Sequence, residues 1–287
     1  MNFTIITDST CDLPKDVLER MNVERVPLYV SFEGKTHKDW EEITPEVIVK
    51  GVQGGSNLPT TSQPSPQDFE SVYRNAVEGG AKHILVLTIS AELSGTYQSA
   101  TIAANSVDVP VTVFDSRAAS VGLGNMVEVA VRLRDEGKTA EETVQQLERV
   151  RETSLPFFTV ATLEFLQKGG RIGRASALVG SLLNIKPILS LEEGKIIPSG
   201  KARGNKKAVA EMIANVRRHL EKYPGKPYIT FLHVTDQEAG EKLRDAVRNA
   251  GIEFDGGEVY EVGAVVSAHV GPGTYGMYLY VTTPEEA

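Results

Sequence analysis

The chain is poor in the residues that announce chemistry. Its 287 residues hold one cysteine, Cys11, and one tryptophan, Trp40. A single cysteine forms no internal disulfide and builds no thiolate metal site, and it favours a reducing compartment. The five histidines are scattered along the chain. No apolar run approaches the roughly 18 residues of a spanning helix, so no stable membrane insertion is expected. The first ten residues carry Asp8 and lack a basic start followed by an apolar run, which argues against a signal peptide and for a cytoplasmic location. Positive charge is in deficit: 30 Lys and Arg against 38 Asp and Glu give a net charge of −8, which argues against nucleic acid as a partner. G-x-S-x-G, P-loop and HExxH signatures are missing.

Composition is otherwise that of a globular protein, with 41% hydrophobic and 24% charged residues. The length suits two domains or one large one. Strand and helix patterns alternate through the first half. Strands are expected at Phe3–Thr7, Val26–Phe32, Ile84–Ile89 and Val109–Phe114, and helices at Pro14–Met21, Gln67–Val77, Thr96–Asn105, Ala119–Glu136 and Ala140–Arg151. This alternation implies βαβ units and a mostly parallel sheet flanked by helices. Gly51–Pro66 reads as irregular. The second half reads as a mixed sheet with helices. It has a strand at Phe157–Ala161, a hairpin around Glu193-Gly194, helices at Lys206–Tyr223 and Gln237–Asn249, and strands at Tyr228–Val234, Glu258–Val262, Val265–His269 and Met277–Val281. The expected fold is therefore two α/β domains, 1–155 and 156–287.

Open α/β sheets bind ligands at strand C-termini. Polar clusters stand at three such places: Asp8-Ser9-Thr10, Ser90 to Ser94, and Asp115-Ser116-Arg117. Ser94-Gly95-Thr96 precedes a helix, so Ser94 either offers its hydroxyl to an anion or simply caps that helix. Thr60 to Ser65 gathers four hydroxyls, a neutral donor array or plain turn chemistry. Gly271 to Gly276 spells G-x-G-x-x-G, but a strand and the chain end follow it, so the dinucleotide reading is rejected. His269 lies just upstream of these glycines. The charge is also uneven: Leu166 to Glu221 holds 11 basic against 4 acidic residues, including the Gly169-Gly170-Arg171 and Lys201-Ala202-Arg203-Gly204 stretches. Such a segment either meets something negative or is merely solvated.

Taken in order along nearly the whole chain, these pieces resemble the DegV family of bacterial fatty-acid-binding proteins. The matching segments are Ile6-Thr7-Asp8-Ser9-Thr10-Cys11-Asp12-Leu13, Thr61-Ser62-Gln63-Pro64, Leu93-Ser94-Gly95-Thr96-Tyr97-Gln98-Ser99, Val113-Phe114-Asp115-Ser116-Arg117, Lys168-Gly169-Gly170-Arg171-Ile172, Lys201-Ala202-Arg203-Gly204 and His269-Val270-Gly271-Pro272-Gly273-Thr274. The resemblance implies a long-chain fatty acid bound between two α/β domains, with no cofactor and no catalytic residue. It implies a non-catalytic, lipid-presenting component of a fatty acid kinase, whose separate ATP-binding subunit makes an acyl phosphate for phospholipid synthesis. By motif, the carboxylate contacts fall on Thr61, Ser62, Ser94 and His269. Gly95, Gly271 and Gly273 support the pocket, and Arg171 and Arg203 face the kinase. Two rival readings stay open: a Ser94/His269 acyl-ester hydrolase, and a lipid-sensing regulatory protein.

Overall fold

The computed structural model describes residues 3–180 and 185–281. Along the chain, β1 (Thr4–Asp8), α1 (Lys15–Arg20), β2 (Val23–Val26), β3 (Tyr29–Phe32), β4 (Lys35–Lys38), α2 (Pro45–Gln53), β5 (Thr60–Ser62), α3 (Pro66–Glu78), β6 (Ile84–Thr88), α4 (Thr96–Ala103) and β7 (Val111–Asp115) make the first part. Next come α5 (Val121–Asp135), α6 (Ala140–Thr153), β8 (Leu155–Thr159), α7 (Glu164–Lys168), β9 (Lys186–Glu192), β10 (Lys195–Ala202) and α8 (Asn205–Lys222). The chain continues through β11 (Pro227–His233), α9 (Gln237–Asn249), β12 (Asp255–Glu261), α10 (Ala264–Val270) and β13 (Tyr275–Val281).

The fold is α/β, as the alternation predicts. Strands β2-β1-β6-β7 form an all-parallel sheet. Strands β10-β9-β8-β13-β11-β12 form a mixed sheet whose one parallel pair is β11 and β12. Residue alternation sorts the core. In β6, Leu85 and Leu87 face one way into the main core, while Ile84 and Val86 face the other way with Phe69 and Tyr73 of α3. In β13, Tyr278 and Tyr280 join the main core, while Met277 and Leu279 pack with Met212 of α8 and Leu243 of α9. Helix α5 lies between the two sheets and is buried nearly all round, as an apolar helix must be when both faces have partners. Its Asn125 Oδ1 accepts the Thr230 hydroxyl of β11 at 2.7 Å.

Three expectations need correction. Val26–Phe32 is not one strand. Pro27 removes a ladder donor between β2 and β3, which belong to different sheets. Gly51–Pro66 contains the end of α2 and strand β5, which joins β3 and β4 in a small antiparallel sheet. Val265–His269 is helix, not strand: a short apolar run fits either, and here the Asp39 carboxylate accepts the Val265 N–H at 3.3 Å in its first turn. The hairpin at Glu193-Gly194 forms as expected.

Buried carboxylates tie these parts together around the end of β1. Asp8 accepts the Thr10 N–H and hydroxyl through Oδ1 and the Ile89 N–H through Oδ2, at 2.9, 2.5 and 2.7 Å. Asp39 accepts the Ser9 hydroxyl at 2.8 Å as well as Val265 N–H, linking β1, the small sheet and α10. Asp12 accepts the Gly263 N–H at 2.9 Å and the Ser120 hydroxyl at 2.6 Å, linking the start of α10 to the start of α5. Burial pushes Asp8 and Asp39 up to about 6, against the hydrogen bonds that pull the other way.

These bonds predict unequal responses to amide substitution. In Asp39→Asn the retained oxygen can serve Val265 while the new NH₂ donates to Ser9. In Asp8→Asn one of the two sides must place an NH₂ against a backbone N–H. Urea unfolding should show a loss of about 2 kcal/mol or more for Asp8→Asn and under about 1 for Asp39→Asn. A raised acid binds its proton more readily in the folded state, so its stabilisation is fully present below about 4 and is lost as pH rises through about 6. The stability of wild type relative to Asp39→Asn should therefore grow as pH falls from 7 to 4; a constant difference would contradict this.

Candidate ligand-binding site

A cavity of about 360 Å³ opens between the C-terminal ends of the parallel strands and one face of the mixed sheet. Phe158 of β8, Leu191 of β9, Ile196 of β10, Leu232 of β11 and Tyr278 of β13 supply the sheet side. Ile89 after β6, Leu28 after β2, and Val265, Val266 and Val270 of α10 supply the rest of the apolar wall. The wall follows from the period-two alternation of five strands, each of which turns one row of side chains inward.

Thr61, Ser62, Gln63, Ser94, Arg171 and His269 make the partly exposed polar lining, apart from the buried Ser120 and Thr274. Thr61 Oγ1 and His269 Nε2 lie 2.7 Å apart, joining β5 to α10. The Ser94 and Thr96 hydroxyls lie 2.9 Å apart, and Gln63 donates to the Ser99 hydroxyl at 3.3 Å. Arg171 donates to the Leu93 carbonyl at 3.0 Å and to the Gly169 carbonyl at 2.8 Å, so its guanidinium is fixed across the gap between the two sheets. Ser62 and Gln63 are exposed while Thr61, Ser94, Arg171 and His269 are half-buried, which marks this group as the mouth.

His269 is pushed down to about 4, first by burial and then by the positive charge of Arg171. It is neutral at pH 7. Its Nδ1 has no hydrogen-bond partner among the described residues, and the Gly169 Cα lies so close that a Cβ there would strike the ring. The mouth thus combines hydroxyls, a neutral imidazole and one fixed cation. That set suits an anion attached to an apolar body: the charge finds donors and the body finds hydrocarbon.

Thr61, Ser62, Ser94 and His269 all line this one cavity, and so does Arg171. Arg203 lies outside the lining and is exposed between β10 and α8. Gly95, Gly271 and Gly273 are not among the lining residues. A Cβ on Gly95 would run into the Gln63 carboxamide, and Gly271 has φ +74° with the Phe165 ring 2.5 Å from where its Cβ would stand. Gly273 also has a positive φ. Gly95, not Ser94, is the residue that caps α4, which leaves the Ser94 hydroxyl for other partners. The G-x-G-x-x-G run leads into β13, as its rejection as a dinucleotide motif requires. Gln63, Ser120 and Thr274 also line the cavity and were missed. Gln63 was inside a quoted motif; Ser120, with φ 56°, gave no sequence signal.

The family model described as "uncharacterised protein, DegV family" matches residues 2–282. The chain belongs to the DegV family. It is 42% identical to a DegV domain-containing protein of Deinococcus radiodurans, over 97% of this chain and 98% of that one. It is 35% identical to a protein of Thermotoga maritima named fatty acid-binding protein, over 98% of both. Among solved structures, a DegV family protein of Thermus thermophilus, described for its fatty acid binding, superimposes with a TM-score of 0.95 at 48% identity, covering 98% of this chain and 100% of that one. Among the described residues of this DegV chain, no helix is long and apolar enough to cross a membrane.

The neutral state of His269 is directly measurable. Its ring nitrogens, followed by NMR, should stay in the neutral pattern from pH 8 down to 5. Protonation with a midpoint at or above 6 would contradict the burial described here.

Proposed function

We propose that this DegV chain binds a long-chain fatty acid, with the acyl chain in the apolar cavity and the carboxylate at Thr61, Ser62, Ser94 and His269. The observation that carries the reading is the cavity itself: an apolar wall with Thr61, Ser62, Ser94, His269 and Arg171 on its partly exposed side. Relatives named for fatty acid binding support it. At about 0.8 kcal/mol per buried CH₂, a long acyl chain gains on the order of 10 kcal/mol before entropy costs. The tail therefore dominates affinity and the head group sets position.

The bound acid is presented to a separate ATP-dependent kinase subunit. A carboxylate oxygen attacks the γ-phosphorus of ATP, the bond to the β-phosphate oxygen breaks, and acyl phosphate and ADP result. Hydroxyl donors at the mouth favour this use, because they hold the carboxylate without a bidentate guanidinium clamp; the Arg171 bonds go to two backbone carbonyls instead. The product serves phospholipid synthesis, and Arg171 and Arg203 face the kinase. This chain supplies no catalytic group. The hydrolase alternative needs Ser94 on His269, whereas Ser94 is bonded to Thr96 and His269 Nε2 to Thr61.

Ser94→Ala should weaken palmitate or oleate binding by roughly tenfold, the scale of one hydrogen bond to a charged group, with the fold intact by circular dichroism. Unchanged affinity would remove Ser94 from the head-group site. Arg171→Ala should keep bound lipid but lose most turnover when a cognate fatty acid kinase subunit is added. Wild-type rates at limiting kinase would end the docking role of Arg171.

A further inference from the structure

The turn that ends α7 holds two glycines, Gly169 and Gly170, for different reasons. Gly170 has φ +72° and open space where a Cβ would stand, so its backbone conformation requires glycine. Gly169 has φ −74° and ψ −7°, a right-handed conformation open to any residue. Space is what requires glycine there. A Cβ on Gly169 would overlap Nδ1 of His269 and stand 3.0 Å from Cε1 of the same ring. The Gly169 carbonyl meanwhile accepts Arg171 Nη1 at 2.8 Å. One residue therefore touches both the imidazole and the guanidinium of the mouth.

This contact decides where the imidazole proton sits. His269 is neutral, so its ring carries one N–H. Nε2 lies 2.7 Å from the Thr61 hydroxyl, and Nδ1 faces the Gly169 Cα with no hydrogen-bond partner among the described residues. A proton on Nδ1 would be a buried donor without an acceptor, on the side where Gly169 holds the Arg171 charge. A bare lone pair on Nδ1 is instead attracted to that charge. The proton is therefore on Nε2, where it donates to Thr61 Oγ1. Thr61 accepts that bond and keeps its own proton to donate. With the other tautomer, Thr61 would spend its proton on Nε2 and turn only lone pairs to the cavity, where they repel a carboxylate.

We infer that Gly169 is a positioning residue of the mouth: by lacking a side chain it seats His269 with the proton on Nε2, which commits the Thr61 hydroxyl to donation into the cavity. The mouth then selects a head group that only accepts hydrogen bonds. That last step rests on the fatty acid reading, whereas the seating of the ring does not.

The test is long-range proton–nitrogen NMR of the histidine rings in the full-length protein at pH 7, with His269 assigned by its loss in His269→Ala, beside a titration with oleate. In wild type, Nε2 of His269 should show the shift of a protonated ring nitrogen and Nδ1 that of a bare one. Gly169→Ala should abolish this single-tautomer pattern and weaken oleate binding at least about tenfold, with circular dichroism unchanged. Gly170→Ala, strained but clear of the ring, should lower the thermal midpoint and leave pattern and affinity as in wild type. If Gly169→Ala does not fold, removal of the ring in Gly169→Ala/His269→Ala should restore folding. A proton on Nδ1 in wild type, an unchanged pattern or unchanged oleate affinity in Gly169→Ala, the same loss of pattern in Gly170→Ala, or a double variant that still does not fold would each overturn the assignment. The expected pattern, and its loss in Gly169→Ala, in a protein that takes up no oleate would uphold the seating of His269 and remove fatty acid as the ligand.

Discussion

The structure depends on carboxylates held without water at the end of β1. Asp8, Asp12 and Asp39 are fully buried, and each is surrounded by N–H and O–H donors from distant parts of the chain. Burying an acid is costly, and its folded-state pKa rises accordingly; the donors recover part of that cost. The result is directional in a way that apolar packing is not. Asp12 and Asp39 between them hold the start of α10, and the other end of α10 carries His269 to the cavity mouth. The Asp-Ser-Thr run at the end of β1 therefore acts on the site from behind, through the placement of a helix.

The cavity follows from the same arrangement. Two sheets that share α5 do not meet along their whole length. The gap is bounded by one face of the mixed sheet and by the loops after the parallel strands. Side chains from both sheets and α10 close it, and Arg171 bridges it by donating to the Leu93 carbonyl on the opposite side. Apolar walls supply most of the affinity for an acyl chain. The polar mouth then decides which end of a ligand faces water, and in which orientation its oxygens lie.

Much of this was legible in the sequence, and the limits have physical causes. Alternating periods gave the parallel sheet, and a two-residue turn gave the β9–β10 hairpin. The Thr60–Ser65 segment and Ser94 before α4 marked residues that do meet at one cavity, whereas Asp8-Ser9-Thr10 and Asp115-Ser116-Arg117 do not line it. The segment 264–270 was misread because six apolar and small residues around one histidine satisfy either period; the partner that decides for helix is Asp39, more than 200 positions away. The small sheet was missed because its strands are only three or four residues long and the apolar run from Val26 to Phe32 continues across the break at Pro27. Ser120 lines the cavity only because its backbone takes a left-handed turn fixed by Asp12. Such tertiary dependence leaves no local trace.

The most direct test is native mass spectrometry of the purified protein, followed by denaturation and analysis of the released lipid. The account predicts one long-chain fatty acid per chain, lost on denaturation and restored by added oleate or palmitate. A protein that is empty as isolated, and that takes up neither acid when offered it, would contradict it.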